Sequence, residues 1–180
     1  DAVKESLVHL MDKDMLGMSS KRIILSTSGI VPGIMKLADD GIKANLAISL
    51  HTAIEMKRKP LMPIANKYPL HDLHKAVKYY YEMTGQRITY EYVLLHEIND
   101  GLEDARAFAD FCKVSPCKIN LIEYNAADHR FKKSTDDAVD VFKRFMEGCN
   151  IPVQLRRSRG ADIAAACGQL IARDKNYRKK

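Results

Sequence analysis

Apolar residues recur along this chain in two alternating periods. Short runs rich in β-branched and aromatic residues fall at Arg22–Ser26, Ala44–Leu50, Arg87–Leu95, Lys118–Tyr124 and Val153–Arg157. Each has the length and composition of a β-strand. Between them the spacing changes to three and four. Leu70, Leu73, Val77 and Tyr80/Tyr81 mark one helical face over Leu70–Thr84, and Glu103–Cys112 and Asp136–Glu147 behave alike. An opening helix over about Val3–Met11 precedes the first strand. Strands separated by helices of this length predict βα units around a mostly parallel sheet, an α/β fold.

Local signals set several boundaries. Asp100 followed by Glu103 has the spacing of a capping box, and Ser134-Thr135-Asp136-Asp137 is a second start signal. Gly148 is expected to end the helix that begins there. Lys57–Pro63 carries two prolines and reads as an irregular loop between a strand and a helix. No repeat, low-complexity tract or linker divides the chain, so residues 1–180 are expected to form a single domain.

Composition narrows the classes of function. The chain has 180 residues, 46% hydrophobic and 29% charged, which suits a globular protein with a sizeable core. No apolar run approaches the roughly 20 residues that span a bilayer, and the polar start Asp1-Ala2-Val3-Lys4-Glu5 has no signal-peptide pattern. A cytoplasmic location without membrane contact is the expectation. The net charge is +6, and eight Lys/Arg against two Asp between Pro152 and Lys180 account for all of it. A neutral body with a basic end suits contact with a polyanion, because Lys/Arg neutralise phosphates. The four cysteines, Cys112, Cys117, Cys149 and Cys167, form no Cys-x-x-Cys pair and have no His at zinc-ligand spacing. Cys112, Cys117 and Cys149 are expected to be small buried hydrophobes.

In parallel α/β folds, ligands bind at the carboxyl ends of strands. Those ends carry Ser26-Thr27-Ser28-Gly29, Ser49-Leu50-His51 and Glu123-Tyr124-Asn125, while Glu91 sits within the third strand. Small hydroxyls, an imidazole and an amide on one rim can hold an amino acid's carboxylate and ammonium together with a ribose. Near the other end of the chain, Arg156-Arg157-Ser158-Arg159-Gly160 runs into Ala164-Ala165-Ala166-Cys167-Gly168-Gln169-Leu170. Small neighbours leave the Cys167 sulfur open to a planar ring, and the arginines can bind phosphates and lower the thiol pKa.

These blocks resemble the radical S-adenosylmethionine (SAM) methyltransferases of 23S ribosomal RNA, the RlmN/Cfr family. The likeness runs through Leu25-Ser26-Thr27-Ser28-Gly29, Ala47-Ile48-Ser49-Leu50-His51, Pro63-Ile64-Ala65-Asn66-Lys67-Tyr68, Glu91-Tyr92-Val93-Leu94-Leu95, Asn99-Asp100, Pro116-Cys117-Lys118-Ile119-Asn120-Leu121-Ile122 and Ala165-Ala166-Cys167-Gly168-Gln169-Leu170, in the family's order. The resemblance implies the later βα units of a partial (β/α)6 barrel with a basic C-terminal segment. It implies a SAM pocket lined by Ser26, Ser49, Leu50, His51 and Asn125, with Cys167 as the methyl carrier. A carrier is chemically apt: adenine C2 is electron-poor and has no lone pair to attack SAM directly. A thiolate can take the methyl by displacement, and a radical from a second SAM can then activate it. Arg159-Gly160 and Ser26-Thr27-Ser28-Gly29 are RlmN-like forms, which favours C2 over the C8 position that Cfr-type enzymes methylate.

The resemblance also implies 23S rRNA as substrate, tRNA as a candidate second one, and a flavodoxin-like electron donor. Ala164 stands where the family usually has an acid. The chain has no Cys-x-x-x-Cys-x-x-Cys motif for a [4Fe-4S] cluster, and no Gly-Glu-Pro motif. The family's second catalytic cysteine and its catalytic glutamate also lie upstream of the blocks matched. The expectation is a truncated, catalytically inactive C-terminal part that self-associates through an exposed strand edge near Arg22–Ser26. Two other readings are weighed beside it: a non-enzymatic α/β RNA-binding module, and a different barrel enzyme acting on a small molecule.

Overall fold

A computed structural model describes residues 2–125 and 130–156. Among the described residues, five strands form one sheet in the order β1-β2-β3-β4-β5: β1 (Ile24–Thr27), β2 (Asn45–Ser49), β3 (Ile88–Leu94), β4 (Cys117–Glu123) and β5 (Val153–Arg156). Every pairing is parallel. The helices among the described residues alternate with the strands: α1 (Ala2–Met11), α2 (Val31–Asp39), α3 (Glu55–Leu61), α4 (Leu70–Thr84), α5 (Leu102–Cys112) and α6 (Asp136–Gly148).

Sequential strand order with right-handed crossovers places every connecting helix on the same side of the sheet. The core confirms that arrangement. Leu46, Ile48, Ile88, Tyr90, Tyr92, Leu94, Ile119 and Leu121 alternate along the strands and join one buried cluster with Leu73, Val77, Phe108 and Phe142 of the helices. Tyr92 stacks on Phe108 with ring centroids 4.7 Å apart and lies 5.1 Å from Phe142. Tyr80 gives this apolar layer a polar anchor, its hydroxyl donating to the Ala44 carbonyl at 2.5 Å.

Residues of the opposite parity face away from that layer. Ser49, Glu91, Asn120 and Gln154 share one register row. Ser26, Ala47, Thr89 and Lys118 form the next row toward the amino ends. These two rows are mostly polar, with Val93 and Ile122 beyond them, and take no part in the helix-packed cluster. Among the described residues, β1 and β5 are the two edges of the sheet.

Several local expectations need correction. The expected loop is mostly helix: α3 runs to Leu61, and a 3-10 turn over Pro63–Asn66 follows. Pro60 sits in the last turn of α3, and the helix is anchored by Arg58, whose side chain is fully buried. Asp100 does not cap α5. Gly101 is the N-cap, and Asp100 Oδ1 instead accepts from the Glu97 amide at 3.0 Å, closing the preceding turn. Thr135 does cap α6, accepting from the Ala138 amide at 3.2 Å. Cys112 and Cys117 are buried, but Cys149, just past the end of α6, is exposed. Among the described residues no helix is long and apolar enough to cross a membrane.

Candidate active-site face

Four strands deliver the polar rim. Ser26 is on β1 and Ser49 ends β2, and pairing of Ser26 with Ala47 puts both hydroxyls on the face away from the helices. Leu50 points the other way: its side chain is fully buried in the helix-side core, so packing fixes the turn that follows β2. The turn itself is tight. His51 has φ 57, and the Leu50 and His51 amides both donate to the Glu91 carbonyl, at 3.0 and 3.4 Å.

His51 is thereby held against β3. Its Nδ1 accepts from the Val93 amide at 3.2 Å, which leaves the proton of the neutral ring on Nε2. Burial lowers its pKa to about 4, with the nearby Arg58 guanidinium adding to the effect. His51 is therefore a neutral hydrogen-bond donor at pH 7. Its carbonyl accepts from Asn99 Nδ2 at 2.6 Å. Asn99 is fully buried and also binds the Val93 carbonyl (2.8 Å) and the Leu95 amide (2.7 Å), so one side chain locks the β2 turn to the end of β3.

Arg58 supports the same rim from behind. Its guanidinium donates to the Tyr68 carbonyl at 3.2 Å and the Ser28 carbonyl at 3.3 Å. Gly29, at φ 98, makes room for it: a Cβ there would lie 3.2 Å from Nη2 and 3.3 Å from Leu73. Asn125 follows the carboxyl end of β4 and is half-buried. The returning chain is tied beside it. Lys133 pairs with Glu123 at 3.3 Å, and Phe131 meets Tyr124 edge-on at 6.0 Å.

The middle of the polar face carries an acid that the sequence marks and an amide that it does not. Asn120 Nδ2 donates to Glu91 Oε1 at 2.8 Å, and Arg156 Nη1 lies 3.7 Å from Glu91 Oε2. Glu91 Oε2 and Asn120 Oδ1 are buried and accept no hydrogen bond. A face with small hydroxyls, a neutral imidazole donor and acceptors that receive no hydrogen bond suits a ligand that carries both donors and acceptors. Ser26, Ser49, His51 and Asn125 thus come to the carboxyl ends of neighbouring strands. Cys167 and the arginines from Arg157 onward lie outside the described residues. Among the described residues, no group of three or more His, Cys, Asp or Glu could hold a metal ion.

Solved structures share this fold, among them the following two. A radical SAM methyltransferase from Sphaerobacter thermophilus superposes with a TM-score of 0.85 at 34% identity, over 93% of this chain and 50% of that one. A domain of pyruvate-formate lyase-activating enzyme from Bacteroides vulgatus matches with a TM-score of 0.57 at 12% identity, which speaks for the fold alone. The architecture is that of about half of a radical SAM methyltransferase, a five-stranded parallel sheet with its helices. Among curated relatives, one from Christiangramia forsetii is 47% identical over 169 residues, 93% of this chain and 48% of its own length. Another from Salinibacter ruber is 42% identical over 173 residues, 94% of this chain and 47% of its own. Both are named probable dual-specificity RNA methyltransferase RlmN. The chain belongs to the RlmN family. It spans about half the length of the curated relatives it matches. No family model matches it.

Proposed function

We propose that this chain supplies the later βα units of an RNA methyltransferase that places a methyl group on C2 of an adenine in 23S rRNA. The observation that carries the reading is the 47% identity to a relative named as an RNA methyltransferase, spread over 93% of the chain. Ser26, Ser49, His51 and Asn125 hold SAM at the carboxyl ends of β1, β2 and β4. Leu50 acts by packing and sets the turn that presents His51. Neutral His51 contributes its Nε2 proton as a donor without bringing charge next to the sulfonium. SAM and a [4Fe-4S] cluster, whose ligands lie outside this chain, supply the methyl group and the radical when bound. Cys167 accepts the methyl as a thiolate before it passes to the base. Arg156, Arg157 and Arg159 bind RNA phosphates.

The relatives are named dual-specificity RNA methyltransferases, and tRNA is the second RNA substrate proposed for this chain. A flavodoxin-like protein fits as the electron donor. Alone, the chain has no cluster motif and does not cleave SAM. The unpaired side of β1 supports self-association of the isolated chain, which sedimentation across a concentration series tests.

The function is tested by expressing the full reading frame that encodes this chain in cells lacking their own C2 methyltransferase. Nucleoside analysis of 23S rRNA is expected to show 2-methyladenosine. Appearance of 8-methyladenosine alone would move the assignment to C8, and an unmodified adenine with folded, cluster-loaded protein would remove the RNA reading.

A further inference from the structure

Three of the cysteines meet away from the candidate site, at the amino ends of the strands. Cys112 is the last residue of α5, Cys117 opens β4 beside Ile88 of β3, and Cys149 follows the end of α6. All three line one cleft of about 710 Å³, together with Arg87, Arg106 and Lys113. The polar rim lies at the other ends of the same strands.

Within the cleft Cys112 and Cys117 are neighbours. Only Lys113 to Pro116 separate them in the chain, the Cys117 sulfur lies 4.0 Å from the Cys112 carbonyl, and the two thiols share a hydrogen bond. Each is nearly buried, at 4% and 8% exposed, and the cleft borders both. Their environments are unlike. The hydrogen bond from the Cys112 thiol lowers the Cys117 pKa; burial opposes that shift and the Arg87 guanidinium adds to it. The same hydrogen bond, together with burial, pushes the Cys112 thiol up. Cys117 therefore ionises first, and Cys112 keeps its proton. A low-pKa thiol beside a neutral one is the arrangement in which one sulfur attacks and the other resolves.

We propose that Cys112 and Cys117 are an oxidisable dithiol, which a hydroperoxide entering the cleft converts to a disulfide. The Cys117 thiolate attacks one oxygen of hydrogen peroxide and the O–O bond breaks. The departing hydroxide takes up the proton that the thiol released and leaves as water, and Cys117 becomes a sulfenic acid. Cys112 then attacks that sulfur. The S–O bond breaks, a second water leaves with the Cys112 proton, and the S–S bond forms. The two thiols lose two electrons and the peroxide gains them. The product ties the end of α5 to the start of β4, and a dithiol reductant reverses it by exchange. This chemistry is separate from that of Cys167 and needs neither SAM nor RNA.

The test uses protein from the full reading frame that encodes this chain. It is fully reduced, exposed to increasing hydrogen peroxide, quenched in denaturant with N-ethylmaleimide and digested with trypsin. Cleavage at Arg106, Lys113 and Lys118 puts the two cysteines on separate peptides, residues 107–113 and 114–118, so a disulfide joins them in the mass spectrum. The exposed Cys149 on the same cleft is the internal control. The joined peptides are expected at peroxide levels that leave Cys149 free to take the maleimide, and they should separate again with dithiothreitol. In Cys112→Ser, Cys117 is expected to accumulate as a sulfenic acid trapped by dimedone. In Cys117→Ser, Cys112 is expected to stay reduced. Arg87→Gln, a change at an exposed position, should slow the linkage several-fold. Oxidation of Cys149 while Cys112 and Cys117 stay reduced would overturn the proposal. So would a disulfide from either of them to Cys149, or equal peroxide reactivity of the remaining thiol in the two serine proteins. The readout is confined to peptides of this chain, so the state of the cluster does not enter.

Discussion

The two faces of the one sheet are built from the same strands, yet they obey opposite rules. On the helix side, alternate residues such as Leu46, Ile48, Tyr90 and Tyr92 are fully buried and interlock with α4, α5 and α6. On the other side, Ser49, Glu91, Asn120 and Gln154 form a row of polar groups with two acceptors unused. A one-residue alternation in each strand therefore separates what holds the fold from the face proposed to meet a ligand. The comparison teaches where substitutions should act. Changes on the first face should cost stability, and changes on the second should cost binding and chemistry at nearly constant stability.

Truncation in the aromatic layer is the strongest test of that division. Phe108→Ala removes the ring stacked on Tyr92 and is expected to cost about 3–5 kcal/mol by chemical denaturation. A loss below about 1 kcal/mol would break the contrast between the faces.

The turn between the faces predicts a pH effect. Folding lowers the His51 pKa from 6.5 to about 4, so the unfolded chain binds more protons between those values. The stabilisation from keeping this ring neutral is present above pH 6.5 and is lost as pH falls through that window, by about 3 kcal/mol in all. Denaturation midpoints measured from pH 7 to pH 4 should fall more steeply for the native chain than for His51→Gln. In Arg58→Met the His51 pKa, read by resonance titration, should rise, because a nearby positive charge is removed. An unchanged value would detach Arg58 from the rim.

Smaller effects follow at the margins. Gly29→Ala places a methyl against the Arg58 guanidinium at a φ of 98 and is expected to cost about 1–3 kcal/mol. Thr135→Ala should cost about 1 kcal/mol, the worth of an N-cap, with no change in ligand binding.

The helix-covered face was the readable one. Periodicities of two and near 3.6 place all five strands, and α4 begins and ends at the predicted Leu70 and Thr84. The missing helices are those whose sequence argues against them. α2 carries Pro32 and Gly33 in its first turn, and α3 carries Pro60 in its last. Both are held by tertiary contact, Ile34 and Leu37 in the core and Arg58 on two loop carbonyls. Serine, histidine and asparagine at strand ends were legible as a rim because parallel sheets bind ligands there. Asn99 and Arg58 were not legible as parts of the site. Their partners are main-chain atoms, so no side-chain pattern announces them. Asn120 escaped for a related reason, since only the β3–β4 register brings it beside Glu91.

The central claim is that this sheet belongs to an enzyme that passes a methyl group through Cys167 to RNA. The direct measurement is mass spectrometry of the Cys167 peptide, after the full reading frame has been loaded anaerobically with its cluster and given methyl-deuterated SAM. The account predicts a deuterated methyl group on Cys167, lost on addition of RNA and recovered on adenine, and no RNA methylation in Cys167→Ala. Methylated RNA from Cys167→Ala protein, or an unlabelled Cys167 under every turnover condition, would contradict it.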